Sequence, residues 1–538
     1  MHGIPLVSKL DGFIEVLGSD SESTRRRCGL ALLVFTLLSL AAQWLVHPVP
    51  LVATPHDVMG YMDAGYRVVS GQVPHNDFST QFGPAFSYIY AIGVALFGPR
   101  ISAVVFSNLM MMAIATLLAW LLSSRRWSPF LSLVFSATVM ATTSGVVPLG
   151  WDAQGTDYAM SYNRHAFGIL LCICMASFFP QKLHSSPAAD RAEDVLLGAL
   201  VAVLLLLKLN FFVIGVCAVV SSPFFVGFRA RRFTWLLLGG VAPLFFFWLA
   251  LGVKPAAFVN DMTYLYDVVR ETRPSLLGPI GKMLAHLTVP LGSVLATLGT
   301  AGWLCLHAHG KITPSLVRSL VAALFLLAAD LVLGVSNTQL WILVFPSFIA
   351  LIALRELLMA NNHRSGYLPV LILCIFSLSL LTIVRETSYI AQACARKLVT
   401  DPNDVEAQRI DSPFLENVYV PSGINGLSDY PLIVNDGLAL LRRRVTPDTR
   451  LVTLNISDPF HFALGLKPTT GTQLYWWFKA SYTNRYHLKP EQVLSNADMI
   501  IINKFWIKLT PDYVDYIKNK FMVIDEGHYW YLFKRKAP

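Results

Sequence analysis

Charge is scarce in this chain. Of 538 residues, 14% are Asp, Glu, Lys or Arg against 54% hydrophobic ones, and the mean hydropathy is +0.54. An ordinary soluble core has no room for that much apolar surface, so the composition excludes a soluble globular protein. Also missing are a Gly-Lys-Ser/Thr phosphate loop, a Rossmann glycine fingerprint, a His-Glu-x-x-His pair and a Cys-x-x-Cys pair. Nucleotide-driven transport and zinc hydrolysis thereby lose their usual supports. Cysteine is sparse as well. Cys28, Cys172, Cys174, Cys217, Cys305 and Cys374 lie in or beside apolar runs and Cys394 stands alone, which gives neither a disulfide framework nor a zinc pattern. The formal charge of +9 does not point to nucleic acid, because the basic residues form short clusters between apolar runs, as cytoplasmic loops do.

What remains is a multi-pass membrane protein. The fold class expected is mainly α: a polytopic helical bundle of about eleven spans, with an extracytoplasmic C-terminal α/β domain. Arg25-Arg26-Arg27 keeps residues 1–27 in the cytoplasm, and the apolar run 28–46 lacks a clear cleavage site, so it reads as the first span. The run 84–98 is assigned to the interface as a re-entrant or juxtamembrane helix, since a span there would put Arg125-Arg126 outside. Further spans are expected at 101–123, 127–148, 163–180, 193–207, 211–228, 234–253, 284–305, 315–333, 339–358 and 367–385. That register leaves Lys182, Arg191, Arg229, Arg231, Arg232, Lys311, Arg355 and Arg364 on the inner side. The transmembrane domain covers 28–385, with an outer loop at 47–100, and 386–538 is the outer domain. There Arg450–Ile456, Ala497–Ile502 and His528–Phe533 read as strands, and 431–444 and 511–520 as helices.

The most informative stretch is 55–84, polar and punctuated by Gly and Pro inside an apolar chain. A helix over 57–71 would put Val58, Met62, Gly65 and Val69 on one face and Asp63, Arg67 and Ser70 on the other. Such a helix could lie on a membrane surface. Asp63 and Arg67 are spaced as a surface ion pair.

Asp57, Tyr61, Gly71, Asp77-Phe78, Gly83-Pro84 and the run ending Leu96-Phe97-Gly98 resemble the first periplasmic loop of polytopic GT-C glycosyltransferases, of the protein-O-mannosyltransferase and lipid A aminoarabinose-transferase types. The match covers about residues 28–230. This chain has Val58 and Phe82 where those families often carry Glu and, in the aminoarabinose transferases, Lys. The resemblance implies a bacterial inner-membrane enzyme. It would move a sugar, with inversion, from a polyprenyl-phosphate donor to an extracytoplasmic glycan, lipid or protein acceptor.

Such chemistry needs a base for the acceptor hydroxyl and cations for the departing phosphate. Asp57 matches the family's acidic position and is the candidate base; a plain helix N-cap is the other reading. Asp77 either caps a turn or positions substrate. Arg164 and His165 fall where the chain re-enters the bilayer from outside. Arg164 either snorkels to headgroups or grips the donor phosphate. Lys208 interrupts the tract Leu204–Leu207 at an outward-facing turn, where an ammonium needs water or an anion. Arg270, in a loop of nearly balanced charge at 254–283, is a further phosphate candidate, and Asp330 either lines the cavity or reaches water at a helix end. The aromatic run Tyr475-Trp476-Trp477-Phe478 reads as core or interface before it reads as a sugar platform. No cofactor is called for; a divalent metal on the carboxylate-rich loop stays open. Two other readings stand beside the enzyme: a transporter or flippase of a lipid-linked sugar, and a non-catalytic glycolipid-binding relative, which Val58 and Phe82 keep alive. No inverted repeat with broken helices supports the transporter.

Overall fold

The computed structural model describes residues 19–47, 54–150, 156–182, 186–228, 230–273, 313–337, 343–360, 368–399, 408–415, 418–420 and 429–537. Two bodies are built from them, a helical bundle and a small α/β layer at its end.

The bundle comprises α1 (Glu22–Val46), α2 (Pro55–Val69), α3 (Pro84–Phe97), α4 (Ile101–Ser123), α5 (Pro129–Thr143), α6 (Ser161–Phe178), α7 (Pro187–Leu207), α8 (Leu209–Val226) and α9 (Ala230–Phe245), which runs on through a π-turn at Phe246–Ala250. It continues with α10 (Pro255–Thr272), α11 (Pro314–Asn337), α12 (Val344–Ala360), α13 (Leu368–Ser379) and α14 (Leu381–Val399). Proline opens α2, α3, α5, α7 and α10, where its missing N–H would have had no helical partner and its φ is already set. Gly98, at φ 72, closes α3.

Among the described residues five helices are long and apolar enough to cross a membrane: α1, α4, α8, α9 with its π-turn, and α11. The bent pair α13–α14, with 50° between its arms, makes a sixth if it is one span. Leu30, Leu38 and Leu237 on α1 and α9 face outward, as lipid-facing side chains do. Among the described residues the expected count of about eleven is not confirmed. Helix α5 has only 15 residues, α7 carries Asp190, Arg191, Glu193 and Asp194 in its first turns, and the span expected at 284–305 lies outside the described residues. Helix α14 continues past the expected boundary at 385, to Val399.

Close backbone packing holds the bundle. A Cβ on Gly198 of α7 would lie 1.9 Å from the Leu236 carbonyl oxygen of α9, and one on Gly239 would lie 1.9 Å from that of Val195. Small residues permit that approach. At one end of the bundle, Arg126 pairs with Glu193, Arg232 with Asp194 (3.0 Å), and Lys182 with Asp20 (3.5 Å). The starts of α1, α7 and α9 and the ends of α4 and α6 thus share a side, as the sequence register requires.

The outer layer holds β2 (Gln408–Arg409), β3 (Tyr419–Val420), α15 (Tyr430–Arg442), β4 (Leu451–Leu454), α16 (Phe460–Leu464), β5 (Thr472–Gln473), α17 (Pro490–Leu494), β6 (Met499–Asn503), α18 (Pro511–Lys520), β7 (Phe521–Glu526) and β8 (Trp530–Arg535). Its sheet runs β4-β6-β8-β7, with β4 and β6 parallel and the other pairs antiparallel. Every residue of β4 and β6 is buried, which explains why both are mostly apolar, with Thr453 and Asn503 the exceptions. One short parallel pair joins the two bodies: β1 (Phe78–Ser79) in the loop after α2 lies beside β5, Phe78 opposite Thr472.

Candidate functional site

The outer helix α2 forms where expected, but it does not lie free on a surface. Asp63 and Arg67 are 0% and 2% exposed. The expected surface ion pair is instead a buried one, because the outer domain covers that face. Arg67 donates to Asp63 at 2.9 Å and to Thr472 Oγ1 at 3.0 Å, and it stands 4.0 Å from Asp458, which in turn is bonded to His461. Burial pushes the Asp63 carboxyl up to about 6 even against the charge of Arg67. Against burial, the charge and hydrogen bond of His461, the charge of Arg67 and the Phe460 amide bring Asp458 down to about 2.

Asp57 sits in the first turn of α2, half-buried, its carboxylate accepting from the Met160 amide at 3.2 Å. The start of α6 is held against this turn by a second bond, from the Ser161 amide to the Tyr61 hydroxyl at 3.2 Å. Asp157 lies alongside, buried, accepting from Thr54 Oγ1 at 2.7 Å and from the Ala159 amide at 2.9 Å. Burial, reinforced by the Asp157 charge, raises Asp57 to about 7, while the Met160 N–H and the Lys208 charge act the other way. A carboxylate near 7 is matched to proton removal at neutral pH.

Lys208 occupies the break between α7 and α8, where it caps both. Its ammonium donates to Asn163 Oδ1 at 2.7 Å and Asn337 Oδ1 at 2.6 Å, and it lies 4.7 Å from the centroid of the Tyr162 ring. None of these partners is anionic. Burial, then the charge of Arg273, lowers Lys208 to about 7, and Asp57 holds it up. Arg273, just past the end of α10, is exposed and donates to the Ser336 carbonyl at 3.3 Å. The arrangement is thus a carboxylate and an ammonium that feel each other's charge, on a floor made by Tyr162, with a second cation nearby. A ligand carrying an anion and a hydroxyl could satisfy both groups.

Gly83 sets the distance between the loop and this break. Its amide donates to the Leu207 carbonyl at 3.1 Å, and a Cβ there would lie 2.1 Å from the Leu206 carbonyl oxygen. Phe82 packs its ring against Tyr162, centroids 4.4 Å apart. The Phe82 position therefore contributes an apolar wall to the site.

The other sequence candidates are placed elsewhere. Asp77 accepts from the Val73 amide at 2.7 Å and so caps its own turn. Arg164 is buried and its guanidinium is engaged: it donates to the carbonyls of Val147, Thr142 and Ser144 and to Glu386 at 2.7 Å. Gly145 leaves room for it, since a Cβ there would lie 2.3 Å from the guanidinium carbon. His165 is buried, and among the described residues neither of its ring nitrogens has a hydrogen-bond partner. Arg270 is exposed on the last turn of α10, three residues before Arg273. Asp330 is buried in α11. Of the expected set, Asp57 and Lys208 lie near enough for each to feel the other's charge, without a direct bond between them among the described residues. Asn163, Asn337, Arg273 and Tyr475 complete the surroundings. The sequence shows Asn337 in the polar cluster after Asp330, Arg273 in the loop of balanced charge, Asn163 beside Arg164 and Tyr475 in the aromatic run, but gives none of them a place beside Asp57 or Lys208. Among the described residues no group of three or more His, Cys, Asp or Glu is placed to hold a metal ion.

No family model matches this chain, and no curated protein matches it. Two solved structures resemble it. One is ArnT from Cupriavidus metallidurans bound to undecaprenyl phosphate, with a TM-score of 0.46 and 12% identity over 94% of this chain and 98% of that one. The other is the same protein in the apo state, with a TM-score of 0.45, 12% identity and the same coverage. ArnT is a lipid A aminoarabinose transferase of the GT-C type. The reading of the site rests on its side chains alone.

Proposed function

We propose that this chain is an inverting membrane glycosyltransferase that takes a sugar from a polyprenyl-phosphate donor and passes it to an acceptor hydroxyl at the outer face of a bacterial inner membrane. The observation that carries the reading is the convergence of Asp57, raised to about 7, with Lys208, lowered to about 7 and lacking an anionic partner among the described residues. Asp57 takes the proton of the acceptor hydroxyl. The freed oxygen attacks the anomeric carbon from the face opposite the phosphate, and the sugar–phosphate bond breaks. Its electron pair leaves with the polyprenyl phosphate, whose growing charge Lys208 meets. Arg273, with Arg270 one turn away, draws the anionic donor in. Arg164 and Asp77 serve as scaffold, one fixing α6 to the loop before it and to α14, the other shaping the turn before β1. The cytoplasmic N-terminus and outer C-terminal domain belong to the same proposal; they put this end of the bundle at the outer surface.

The test is transfer of radiolabelled sugar from a panel of polyprenyl-phosphate sugars in detergent, with membrane extract as acceptor, wild type beside Asp57→Asn. Turnover with one donor, lost in a folded variant, supports the assignment. Full activity in Asp57→Asn removes Asp57 as base, and no turnover of any donor by folded wild type moves the reading to a transporter or glycolipid-binding protein.

A further inference from the structure

Among the described residues, the outer-domain side chain bonded to the peptide of Asp57 is Tyr475, while Tyr430 and Trp506 pack on neighbouring His56. Tyr475, just after β5, is 3% exposed and extends its ring across the first turns of α2. Its hydroxyl donates to the Asp57 backbone carbonyl at 3.3 Å. Directly beneath is Gly60, where a Cβ would lie 2.0 Å from that hydroxyl and 2.2 Å from the ring carbon bearing it. Glycine inside a helix costs about 0.5–1 kcal/mol relative to alanine, so a helix of this length gains nothing from Gly60 except the notch. The notch fits the Tyr475 ring.

Tyr475 is itself fixed from behind. Its carbonyl accepts from Gln473 Nε2 at 2.6 Å and from Ser481 Oγ at 2.7 Å, and its ring meets Phe82 edge-on at 5.9 Å between centroids. It also lines a pocket where the loop 79–81, α10 and the outer domain meet, together with Asp261, Tyr264 and Ser481. Asp261 closes this junction by accepting from His75 at 2.7 Å, Ser79 at 2.9 Å and the Thr80 amide at 3.1 Å. The same tyrosine therefore touches the base's own backbone and a junction of three chain segments.

Resting on the reading of Asp57 as the base, we infer that Tyr475 is a positioning residue: its ring in the Gly60 notch and its hydroxyl on the Asp57 carbonyl fix the first turn of α2, so that the outer domain sets the aim of the carboxylate. The groups facing that carboxylate are Asp157 and the Met160 amide before α6, Tyr162 on α6, Lys208 between α7 and α8, Tyr90 on α3, Tyr61 on its own helix, and Tyr475 itself. Only Tyr475 comes from the outer domain. Its ring also helps to exclude water from the base.

Two measurements on the full-length protein in detergent test this. The first is amide hydrogen exchange over residues 54–66 in wild type and Tyr475→Phe, which keeps the ring and removes one hydrogen bond. Exchange in that segment is expected to rise several-fold, with the rest of α2 and the bundle unchanged. The kcat for sugar transfer should fall about tenfold, a change of about 1.4 kcal/mol in barrier, with KM for the lipid-phosphate donor held. The second is a cycle of Gly60→Ala, Tyr475→Ala and the double variant, read by thermal midpoint. Gly60→Ala alone should destabilise by collision; in the Tyr475→Ala background it should be neutral or stabilising, as alanine is in a free helix. Unchanged exchange and kcat in Tyr475→Phe, or additive effects in the cycle, overturns the inference. Exchange and the cycle need no turnover, so an inactive wild type would defeat the proposed reaction while Tyr475's hold on α2 was still decided.

Discussion

Arg67 donates through Nε to Asp63 at 2.9 Å, and the two side chains, 2% and 0% exposed, lie between α2 and the outer domain rather than in solvent. The same guanidinium reaches the Thr469 carbonyl at 3.3 Å and Thr472 Oγ1 at 3.0 Å, so it ties helix and domain together. Removing one partner of a buried pair strands the other charge, at a cost of about 3–5 kcal/mol. Arg67→Met is expected to lower the thermal midpoint and to expose the outer domain to limited proteolysis. An unchanged midpoint and digestion pattern would show that β1–β5 pairing and the other contacts, Tyr475 on α2 among them, hold the domain without this pair.

Catalysis should show a narrow, bell-shaped pH dependence of kcat/KM centred close to 7. Asp57 must be ionised to take a proton, so activity falls as pH drops below its value of about 7. Lys208 must be charged to meet the phosphate, so activity falls as pH rises above its own value of about 7. Lys208→Arg keeps its charge at higher pH, because a guanidinium does not titrate in this range. The alkaline limb should then move up while the acid limb stays. An unmoved alkaline limb would assign it to another group.

The base should also be a weak point in the fold. The folded protein holds the Asp57 proton to about 7, well above the ordinary 3.8. Folding is therefore favoured by this group at acid pH, and that contribution is lost as pH rises from about 4 through about 7. Asparagine carries no such penalty. Asp57→Asn should melt higher than wild type at pH 8, with the gap closing toward pH 4. A variant that melts lower at every pH would mean that the carboxylate is a cap and not a strained base.

Much of this architecture was legible in the sequence. Hydropathy located the spanning helices, and runs rich in β-branched or aromatic residues located β4, β6 and β8. Strand β7 escaped because Phe521 follows Lys520 of α18 with no turn residue between them to mark the change. In the site, Asp57 stood out after Pro55-His56, and Lys208 stood out in a leucine tract. The i, i+4 spacing of Asp63 and Arg67 was equally plain, yet their burial was not, because Thr472 and Asp458 cover them from the far end of the chain. Arg164 shows the same limit: an arginine at a helix start looks free until Glu386 and the carbonyls that enclose it are seen.

Arg164 and Lys208 should consequently fail in different ways. Arg164→Lys keeps a positive charge but loses the planar fork that serves Val147, Thr142, Ser144 and Glu386 at once. The expected loss is in folded yield and thermal midpoint, with donor KM unchanged per folded molecule. Lys208→Gln should do the reverse, folding normally while kcat falls about a hundredfold, the scale of losing one charge-stabilising group in an active site. A raised donor KM in Arg164→Lys would return that residue to the phosphate site.

Gly83 joins the loop to the phosphate end of the site. Its amide bonds to Leu207, the residue before Lys208, and a Cβ would fall 2.1 Å from the Leu206 carbonyl oxygen and 2.3 Å from its carbon. A flexible side chain could swing away from such a contact, but these are backbone atoms at the end of a packed helix. Gly83→Ala must therefore push the loop off the break that presents Lys208. In the proposed reaction Lys208 meets the donor and Asp57 the acceptor, so the expected signature is a donor KM raised about tenfold, or about 1.4 kcal/mol, with acceptor KM held. Equal loss toward both substrates would mean that the loop also carries α2, and a silent substitution would detach Gly83 from the site.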